Sequence, residues 1–429
     1  MDESSPVEDI GIEEFETEAR AWVESNLEPH PNTFSGDISR LTPELIAQNR
    51  ALQQRLYVAG YSGITIPIEY GGRGLPLEYD AAFRRAAVGY ALPDFGTSSV
   101  TTWRVCVPTL LSHGRPELLK RIIPKVLQGE ALICQFFSEP SSGSDLAGAR
   151  ARAVRDGEEW VLDGQKTWST FAQVADWGLC LARSNWDVSK HRGLSWFLVP
   201  CRTEGIEIRP IRQITGVSSF CDVFLDGVRV PDAHRVGDVD DGWRIAQTML
   251  VLERGALRTA VSSSIPAPAP LPDDEVRQAE AVSSLSPAAS HQALGRLQCI
   301  EYVGQALQWR LAEKSRLGRM TTGEAAYGKL FRGTYRPIRA QLLVELGGAA
   351  ALTWSDDDPE AGPSLVFDYL DGRHSSIAGG TNEVQRNGIS EQVLGMPREP
   401  SYDTGRPYRE VIAEVTRSTT ERTDRRDQN

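Results

Sequence analysis

A block of β-type sequence between two stretches of helical periodicity constrains the fold of this chain more than any other feature. From Ile10 to about Glu130 the apolar residues recur at helical spacing, as in FETEARAWVESNL. Between Cys134 and Val236 the runs are short and β-rich, and Asp-Gly pairs within them predict hairpin turns. Helical texture returns beyond Asp240. This order predicts an α+β fold.

The same change of texture sets the predicted domain boundaries. We expect an N-terminal α-helical domain at 1–133, a central antiparallel β domain at 134–240, a C-terminal α-helical bundle at 241–398 and a tail at 399–429. The prolines of IPAPAPLPDDE exclude a helix interior there. The polar end of the tail, TRSTTERTDRRDQN, is predicted to fray.

Composition excludes several classes of function. With 429 residues and 40% hydrophobic content, the chain can bury two or three domain cores. A net charge of −12 disfavours a nucleic-acid or anionic-membrane partner, and no apolar run reaches membrane-spanning length. Six separated cysteines without a CxxC pair indicate neither a metal site nor a disulfide framework. These features predict a soluble, cytoplasmic protein.

Three short segments are candidates for chemistry. In CQFFSEPSSGSDLAG, a strand runs into a loop whose free amides could surround a phosphate or the polar edge of a ring. In GQKTWST, hydroxyl residues flank a tryptophan that could face a flat heterocycle. In IAGGTNEVQRN, adjacent glycines allow close approach of the backbone, and Thr381 would begin a helix whose amides favour an anion. Taken singly, the first two are more often structural.

Taken together and in order, these segments resemble the acyl-CoA dehydrogenase family of flavoproteins. ADWGLCLAR, HRGLSWFLVP and TGVSSFCDVFLDGVRVP lie between them, so the resemblance spans roughly residues 10 to 398. It is closest to the bacterial branch that reads FSEP, GQKxW and GGTxEIQRN, some members of which act on sterol side chains or other bulky thioesters. The resemblance implies a central β domain between helical domains, with FAD bound between them.

The resemblance also implies the residues that contact the cofactor. Phe137 and Ser138 would lie along the polar edge of the flavin, and Ser144 would help to hold the ligand phosphates or the thioester region. Trp168 and Thr170 would cover the flavin and hydrogen-bond to it. The residues matching the C-terminal flavin-contacting loop of the family are Gly380, Thr381 and Glu383.

The reaction of the family needs a carboxylate that removes the α-proton of the thioester. Many members carry it as the glutamate of a Tyr-Glu-Gly-Thr loop, but this chain reads Ala-Gly-Gly-Thr there, with Gly379 at the matching position. Other members place a glutamate on the first long helix of the C-terminal domain, and Glu253 in MLVLERGAL matches it.

The helical face around Glu253 supports this assignment independently. Its neighbours at helical spacing are all apolar: Ala246, Met249, Leu250, Ala256, Leu257 and Ala260. Desolvation on such a face raises the pKa of a carboxylate towards the range useful for a general base. The alternative is that Glu253 only pairs with an arginine of a neighbouring helix. Glu383 is a poorer candidate because it falls in a helix-capping turn.

Two departures from the family leave the distal part of FAD without its usual contacts. The Arg-x-x-Phe-Gly segment that many members carry after the base-bearing helix is absent. A glutamine often precedes another Gly-Gly pair in the family, and in this chain Val344 stands at that spacing before Gly347 and Gly348. Either the dinucleotide is held differently, or a second, different subunit supplies the missing contacts. A homo- or hetero-oligomer, dimer or tetramer, is expected.

The sequence supports three hypotheses. The first is FAD-dependent dehydrogenation of a CoA-linked or carrier-linked acyl thioester, with Glu253 as the base and an electron-transfer flavoprotein as the acceptor. The second is a flavin-poor subunit of a heteromeric enzyme. The third is an oxygen-using flavin oxidase or monooxygenase on the same fold.

Overall fold

The structure, a computed structural model, describes residues 10–30, 42–253, 274–281, 283, 285–352 and 365–426. It divides into two compact units. The first comprises Met1–Thr102 and Arg115–Leu132, and the second comprises Trp103–Gly114 and Ile133–Asn429.

Helices dominate both ends of the described chain. The α-helices are α1 Ile12–Asn26, α2 Pro43–Val58, α3 Leu77–Ala86, α4 Thr97–Ser99, α5 Val107–His113, α6 Pro116–Leu127, α7 Gly242–Glu253, α8 Asp274–Ala281, α9 Pro287–Arg316, α10 Ala325–Gly347, α11 Leu365–Asp371, α12 Asn382–Gln392 and α13 Tyr408–Arg426. A π-helix, Val100–Cys106, lies between α4 and α5.

The first unit is helical, as the periodicity predicts. Phe15 and Val23 of α1 are buried against Leu56 of α2 and Phe83 of α3. The start of α2 follows from local sequence, because the Thr42 hydroxyl accepts a hydrogen bond from the Leu45 amide and a proline occupies the first helical position.

The second unit contains the predicted β domain. Its strands are β1 Ile133–Phe136, β2 Arg152–Asp156, β3 Glu159–Thr170, β4 Trp177–Arg183, β5 Leu194–Pro200, β6 Ile206–Ile211, β7 Phe220–Pro231 and β8 Arg235–Val236. The sheet order is β6-β7-β3-β2-β4-β5-β8, with β1 paired to β4. Pairing is antiparallel except that β4 runs parallel to β1 and β2. The predicted α+β fold with a central antiparallel sheet is confirmed.

The hairpin prediction holds for one Asp-Gly pair and is wrong for two. Asp156 and Gly157 lie at the β2–β3 turn. The pair at 163–164 lies inside β3, where the register with β7 shifts. Gly164 has φ +144, and a Cβ there would lie 2.8 Å from the Cα of Ala151. The pair at 226–227 lies inside β7, and the amide of Gly227 donates to the carboxylate of Asp163 at 2.9 Å. These two pairs therefore form an irregularity between long strands rather than turns.

The C-terminal helices form their own core. Leu297 of α9, Leu343 and Leu346 of α10 and Leu365 of α11 are buried together, and half-buried Val344 packs against them. The predicted helices in this region are confirmed as α9, α10 and α12. The helix that carries Glu253 is described only as far as that residue, and the proline-rich segment lies outside the described residues.

The frayed tail is a wrong prediction for the residues up to 426, because α13 occupies Tyr408–Arg426. Tyr408, at the start of this helix, is 4% exposed and donates its hydroxyl hydrogen to the carbonyl of Gly148 at 2.6 Å. Polarity of the sequence gave no sign of this anchoring. None of the described helices is long and apolar enough to cross a membrane.

A buried ion pair connects the strands that carry the candidate site. Lys166 of β3 and Glu139, after β1, lie 2.7 Å apart with side chains 0% and 4% exposed. The carboxylate of Glu139 also accepts from the amides of Arg150 at 2.6 Å and Ala151 at 2.8 Å, and Lys166 donates to the carbonyl of Phe137 at 3.2 Å. Both charges are thus paired and hydrogen-bonded, as burial requires.

We predict that Lys166→Met destabilises the protein by about 3–5 kcal/mol, because it leaves the Glu139 carboxylate buried without its counter-charge. The matched control is Arg229→Met, which removes an exposed cation that pairs with Asp156 and Glu159 in the same domain. Urea unfolding should show a lower midpoint for the first variant and an unchanged one for the control. Equal midpoints would contradict a structural role for the buried pair.

Candidate functional site

The loop after β1 and the end of β3 lie side by side. The amide of Thr167 donates to the carbonyl of Ser138 at 2.9 Å, which joins the SEP segment to the KTWST segment. Phe137 is buried and meets the ring of Trp196 edge-on, with ring centroids 5.1 Å apart. The structure therefore brings Phe137 and Ser138 next to the strand end that carries Trp168.

Trp168 is strained and exposed. Its φ is +59, a conformation that is an outlier for an aromatic residue, and the register with β7 shifts between Lys166 and Ser169. The side chain is 58% exposed, and its ring meets Phe220 edge-on at 5.9 Å. Such a backbone costs about 1–3 kcal/mol and is concentrated at ligand sites.

The hydroxyl residues beside Trp168 differ in their surroundings. Ser169 is fully buried, and its Oγ has no hydrogen-bond partner among the described residues. Thr170 is half-buried at the end of β3. An orphaned buried hydroxyl is rare in a folded protein. Next to a strained, exposed tryptophan, it marks this strand end as a place where a ligand could complete the structure.

Ser144 lies on the exposed rim of the serine-rich loop. Ser141, Gly143 and Ser144 are all exposed, whereas Ser142 is buried and donates its hydroxyl hydrogen to the carbonyl of Asp145 at 2.6 Å. The loop is therefore fixed from within and presents small polar residues at its surface.

The Gly-Gly loop before α12 requires its glycines. Gly379 and Gly380 have φ of +68 and +90, which L side chains rarely adopt. A Cβ on Gly380 would lie 2.5 Å from Nε2 of Gln385, which donates to the carbonyl of Gly379 at 3.2 Å. Thr381 caps α12 by accepting from the amide of Val384 at 3.2 Å, so the predicted helix start is confirmed.

Glu383 lies in the first turn of α12 and is exposed. Hydrogen bonds from its own backbone amide and from the side chain of Thr381 lower the pKa of this carboxyl. It also pairs with Arg386 at 3.4 Å. These contacts are those of a helix-capping carboxylate.

Glu253 is the last described residue of α7 and is half-buried. The start of this helix is fixed where Trp196 donates its indole N–H to the carbonyl of Gly242 at 2.7 Å. On the face of Glu253, Ala246 and Met249 are fully buried, and Leu250 is half-buried. Ala256, Leu257 and Ala260 lie outside the described residues.

Glu253 lies close enough to Cys106 for the two groups to interact electrostatically. Burial, followed by the negative charge of Glu253, raises the pKa of the Cys106 thiol far above its usual range, so the thiol stays neutral. Cys106 ends the π-helix, a rare element that is frequent at functional sites. A buried, neutral thiol at the end of the π-helix therefore lies near Glu253.

Sequence reasoning missed three features of this region. The first is the buried ion pair of Glu139 and Lys166. Both residues stand inside the quoted motifs, and the presence of one charged residue in each of two β-type segments was the signal that could have predicted their pairing. Lys329 of α10 is buried under the Gly-Gly loop, where it donates to the carbonyl of Ser375 at 2.7 Å, and a Cβ on Gly379 would lie 3.4 Å from its Cε. Nothing in the sequence linked Cys106 to Glu253.

The predicted site residues thus fall into groups that different structural elements hold in place. A hydrogen bond brings the loop of Phe137 and Ser138 to the strand of Trp168 and Thr170. Ser144 lies further along the same loop. Helices α10 and α12 hold Gly380, Thr381 and Glu383. Glu253 stands on α7, which packs on β5 and α5.

Three models of one protein family match consecutive parts of the chain. The N-terminal, middle and C-terminal domains of acyl-CoA dehydrogenase match residues 12–130, 134–228 and 240–394. The match ends before the last helix, α13.

Relatives agree with these models. The acyl-CoA dehydrogenase IpdE1 of Mycolicibacterium smegmatis is 33% identical over 91% of this chain and 99% of its own length. The acyl-CoA dehydrogenase FadE34 of Mycobacterium tuberculosis is 41% identical over 68% of this chain, but the match spans only 39% of that longer protein. The solved structure of the Tcur3481-Tcur3483 steroid ACAD superposes with a TM-score of 0.67 at 25% identity, covering 90% of this chain and 98% of that one.

We predict that Gly380→Ala destabilises the protein by about 1–3 kcal/mol, because alanine is strained at positive φ and its Cβ displaces Gln385. Gly388→Ala, within α12, is the matched control. A Cβ at position 388 meets nothing within 4 Å, so this variant should be neutral or more stable by up to about 1 kcal/mol. Thermal unfolding of both variants tests the prediction, and equal effects would contradict it.

Proposed function

Because this chain belongs to the acyl-CoA dehydrogenase family, we propose that it catalyses the FAD-dependent α,β-dehydrogenation of an acyl-CoA thioester. The family consists of oxidoreductases that act on CH–CH donors, and FAD is its cofactor. In this proposal the loop after β1, the end of β3, the Gly-Gly loop and α7 have separate roles in the reaction.

The observation that carries the proposal is the strained, exposed Trp168 beside the orphaned hydroxyl of Ser169. Exposure of a large aromatic face and a positive φ both cost free energy in the protein alone. A flat ring packed on the indole would offset that cost, and polar atoms at the ring edge would give the strand end hydrogen-bond partners. The residues present therefore fit a flavin.

Three groups of residues would hold FAD. The indole of Trp168 would pack against the ring system while Thr170 hydrogen-bonds to it, and the backbone at Phe137 and Ser138 would face its polar edge. The Gly-Gly loop and the first amides of α12 would lie against a further polar part of the cofactor. When bound, FAD supplies the acceptor for the hydride that leaves the β-carbon of the substrate.

Glu253 is the base in this proposal. One carboxylate oxygen takes the α-proton of the thioester, and the buried residues of its helix face, Ala246 and Met249, exclude water on that side. The thiol of Cys106, which burial and the charge of Glu253 keep neutral, lies near this carboxylate. Gly379, at the position where many relatives carry a glutamate, has no side chain that could accept the proton.

A bulky, polycyclic acyl-CoA is the substrate class we propose. Its support is the similarity to a protein described as a steroid ACAD. That structure is named for two proteins, which supports an assembly in which a second subunit completes the contacts to FAD. An electron-transfer flavoprotein is the proposed acceptor of the electrons.

The experiment is a visible spectrum of the purified protein, followed by anaerobic titration with acyl-CoA thioesters that range from short linear chains to steroid side chains. Bound flavin that is bleached by a bulky acyl-CoA is the expected result. A colourless protein that gains flavin only with a related partner would indicate a non-catalytic subunit. Oxygen consumption matched to product would indicate an oxidase or monooxygenase.

We predict that Glu253→Gln retains bound FAD but loses at least about 100-fold in the rate of flavin reduction by acyl-CoA, the scale of a lost general base. Glu207→Gln is the matched control, because Glu207 is an exposed carboxylate of β6 that pairs only with the neighbouring side chain of Arg209 among the contacts described. Stopped-flow absorbance under anaerobic conditions measures both rates. Rapid reduction of the Glu253 variant would refute this assignment of the base.

A further inference from the structure

The segment that lies beyond the family match docks on the β domain. We call residues 400–409 the C-terminal strap. The C-terminal family model ends at residue 394. The amide of Tyr408 donates to the carbonyl of Val188 at 2.9 Å, and the amide of Arg409 donates to the carbonyl of Trp186 at 3.1 Å. The strap is thus bonded through its backbone to the loop that comes after β4.

Tyr408 reaches through to the serine-rich loop. Its hydroxyl donates to the carbonyl of Gly148 at 2.6 Å, and the residue is 4% exposed. The guanidinium of Arg183 lies over the tyrosine ring, 4.0 Å from its centroid, and the ring of Trp186 is stacked on it at an interplanar angle of 20°. Both arrangements fix the plane of the phenol ring.

Arg183 engages the carbonyls on either side of the one held by Tyr408. It donates from Nη2 to Ala147 at 2.6 Å and from Nε to Ala149 at 2.9 Å. Although burial lowers the pKa of Arg183 to about 10, the guanidinium is protonated at neutral pH. Three consecutive carbonyls, those of residues 147, 148 and 149, are therefore held by one stacked arginine–tyrosine pair.

A second contact holds the other end of the same loop. Lys190 lies 3.0 Å from the carboxylate of Asp145 and 2.6 Å from that of Asp403 in the strap. Burial opposes the charge of Lys190, but its hydrogen bonds to Asp403 and Asp145 outweigh burial and raise its pKa. Asp145 accepts a further bond at its carbonyl from Ser142, so the lysine is linked to the rim of the loop.

These contacts leave one side of the loop available. The carbonyls at 147–149 and the carboxylate of Asp145 are all directed to Arg183, Tyr408 and Lys190. Gly143 and Ser144, on the rim, remain exposed. Their amides and hydroxyl are the groups that a polar or anionic ligand would meet.

We propose that the C-terminal strap is a positioning element: Tyr408 directly, and Asp403 through Lys190, hold the loop at 142–149 in the conformation that receives the polar part of the acyl-CoA substrate. This inference rests on the proposed function. Tyr408 and Lys190 act through the loop, so their loss weakens substrate binding and leaves the chemical step intact.

The test compares Tyr408→Phe with Tyr402→Phe in the full-length holoenzyme. The first variant keeps the stacked ring and removes only the hydroxyl bonded to Gly148, whereas Tyr402 is a strap residue that is 89% exposed. For Tyr408→Phe, hydrogen exchange of the amides at 142–149 should be faster by roughly threefold to tenfold, the effect of one lost hydrogen bond. The KM for acyl-CoA should rise by a similar factor while kcat changes by less than about twofold.

Lys190→Met provides a second, independent variant, with the same expected split between KM and kcat. Tyr402→Phe should match the unaltered protein in every measurement. Unchanged exchange in Tyr408→Phe, or faster exchange with an unchanged KM, would overturn the proposal. If none of the acyl-CoA thioesters reduces the flavin of the unaltered protein, the proposed function fails instead. The exchange rates then still decide whether the strap holds the loop.

Discussion

The buried ion pair of Lys166 and Glu139 is the interaction on which the candidate site depends. Glu139 comes after β1, accepts from the amides of the two residues that precede β2 and pairs with a lysine of β3, so a single carboxylate connects segments next to three strands. Both charges are removed from water, which is tolerable only because each is paired and hydrogen-bonded. The pair stands two residues from Trp168 and next to Ser138, and therefore fixes the two segments that would face a cofactor.

A rigid support of this kind explains how the site can hold an unfavourable conformation. Trp168 has a positive φ and an exposed ring, and the buried hydroxyl of Ser169 has no partner among the described residues. Such features persist only when the surrounding structure over-determines them. The C-terminal strap applies the same principle to the serine-rich loop, whose carbonyls are held by Arg183 and Tyr408 so that its rim stays free. The ion pair and the strap contacts thus fix the conformation of the backbone, and neither has a proposed part in the chemical step.

The proposed base illustrates how a family reaction can be kept while its carboxylate moves. Gly379 and Gly380 both require positive φ, and the buried side chain of Lys329 lies against the first of them. The backbone of the Gly-Gly loop therefore packs closely against Lys329 and Gln385 in this chain. The proposed carboxylate, Glu253, stands on a different element, α7, whose face at Ala246 and Met249 is buried. In the proposed arrangement the loop would contribute shape and α7 would contribute the proton acceptor.

By itself, the sequence determined the family, the order of helical and β segments, and the start of α12 at Thr381, because these depend on local periodicity, capping and motif order. It also pointed to Glu253 through the apolar face of one helix. Only the tertiary structure decided that two Asp-Gly pairs lie inside β3 and β7, because a bulge and a turn share one local signal until strand pairing chooses between them. It alone decided that α13 is anchored at Tyr408, since the partners of this residue lie more than two hundred residues earlier in the chain. The proximity of Cys106 to Glu253 has the same origin, because contacts between distant segments depend on packing that no local pattern records.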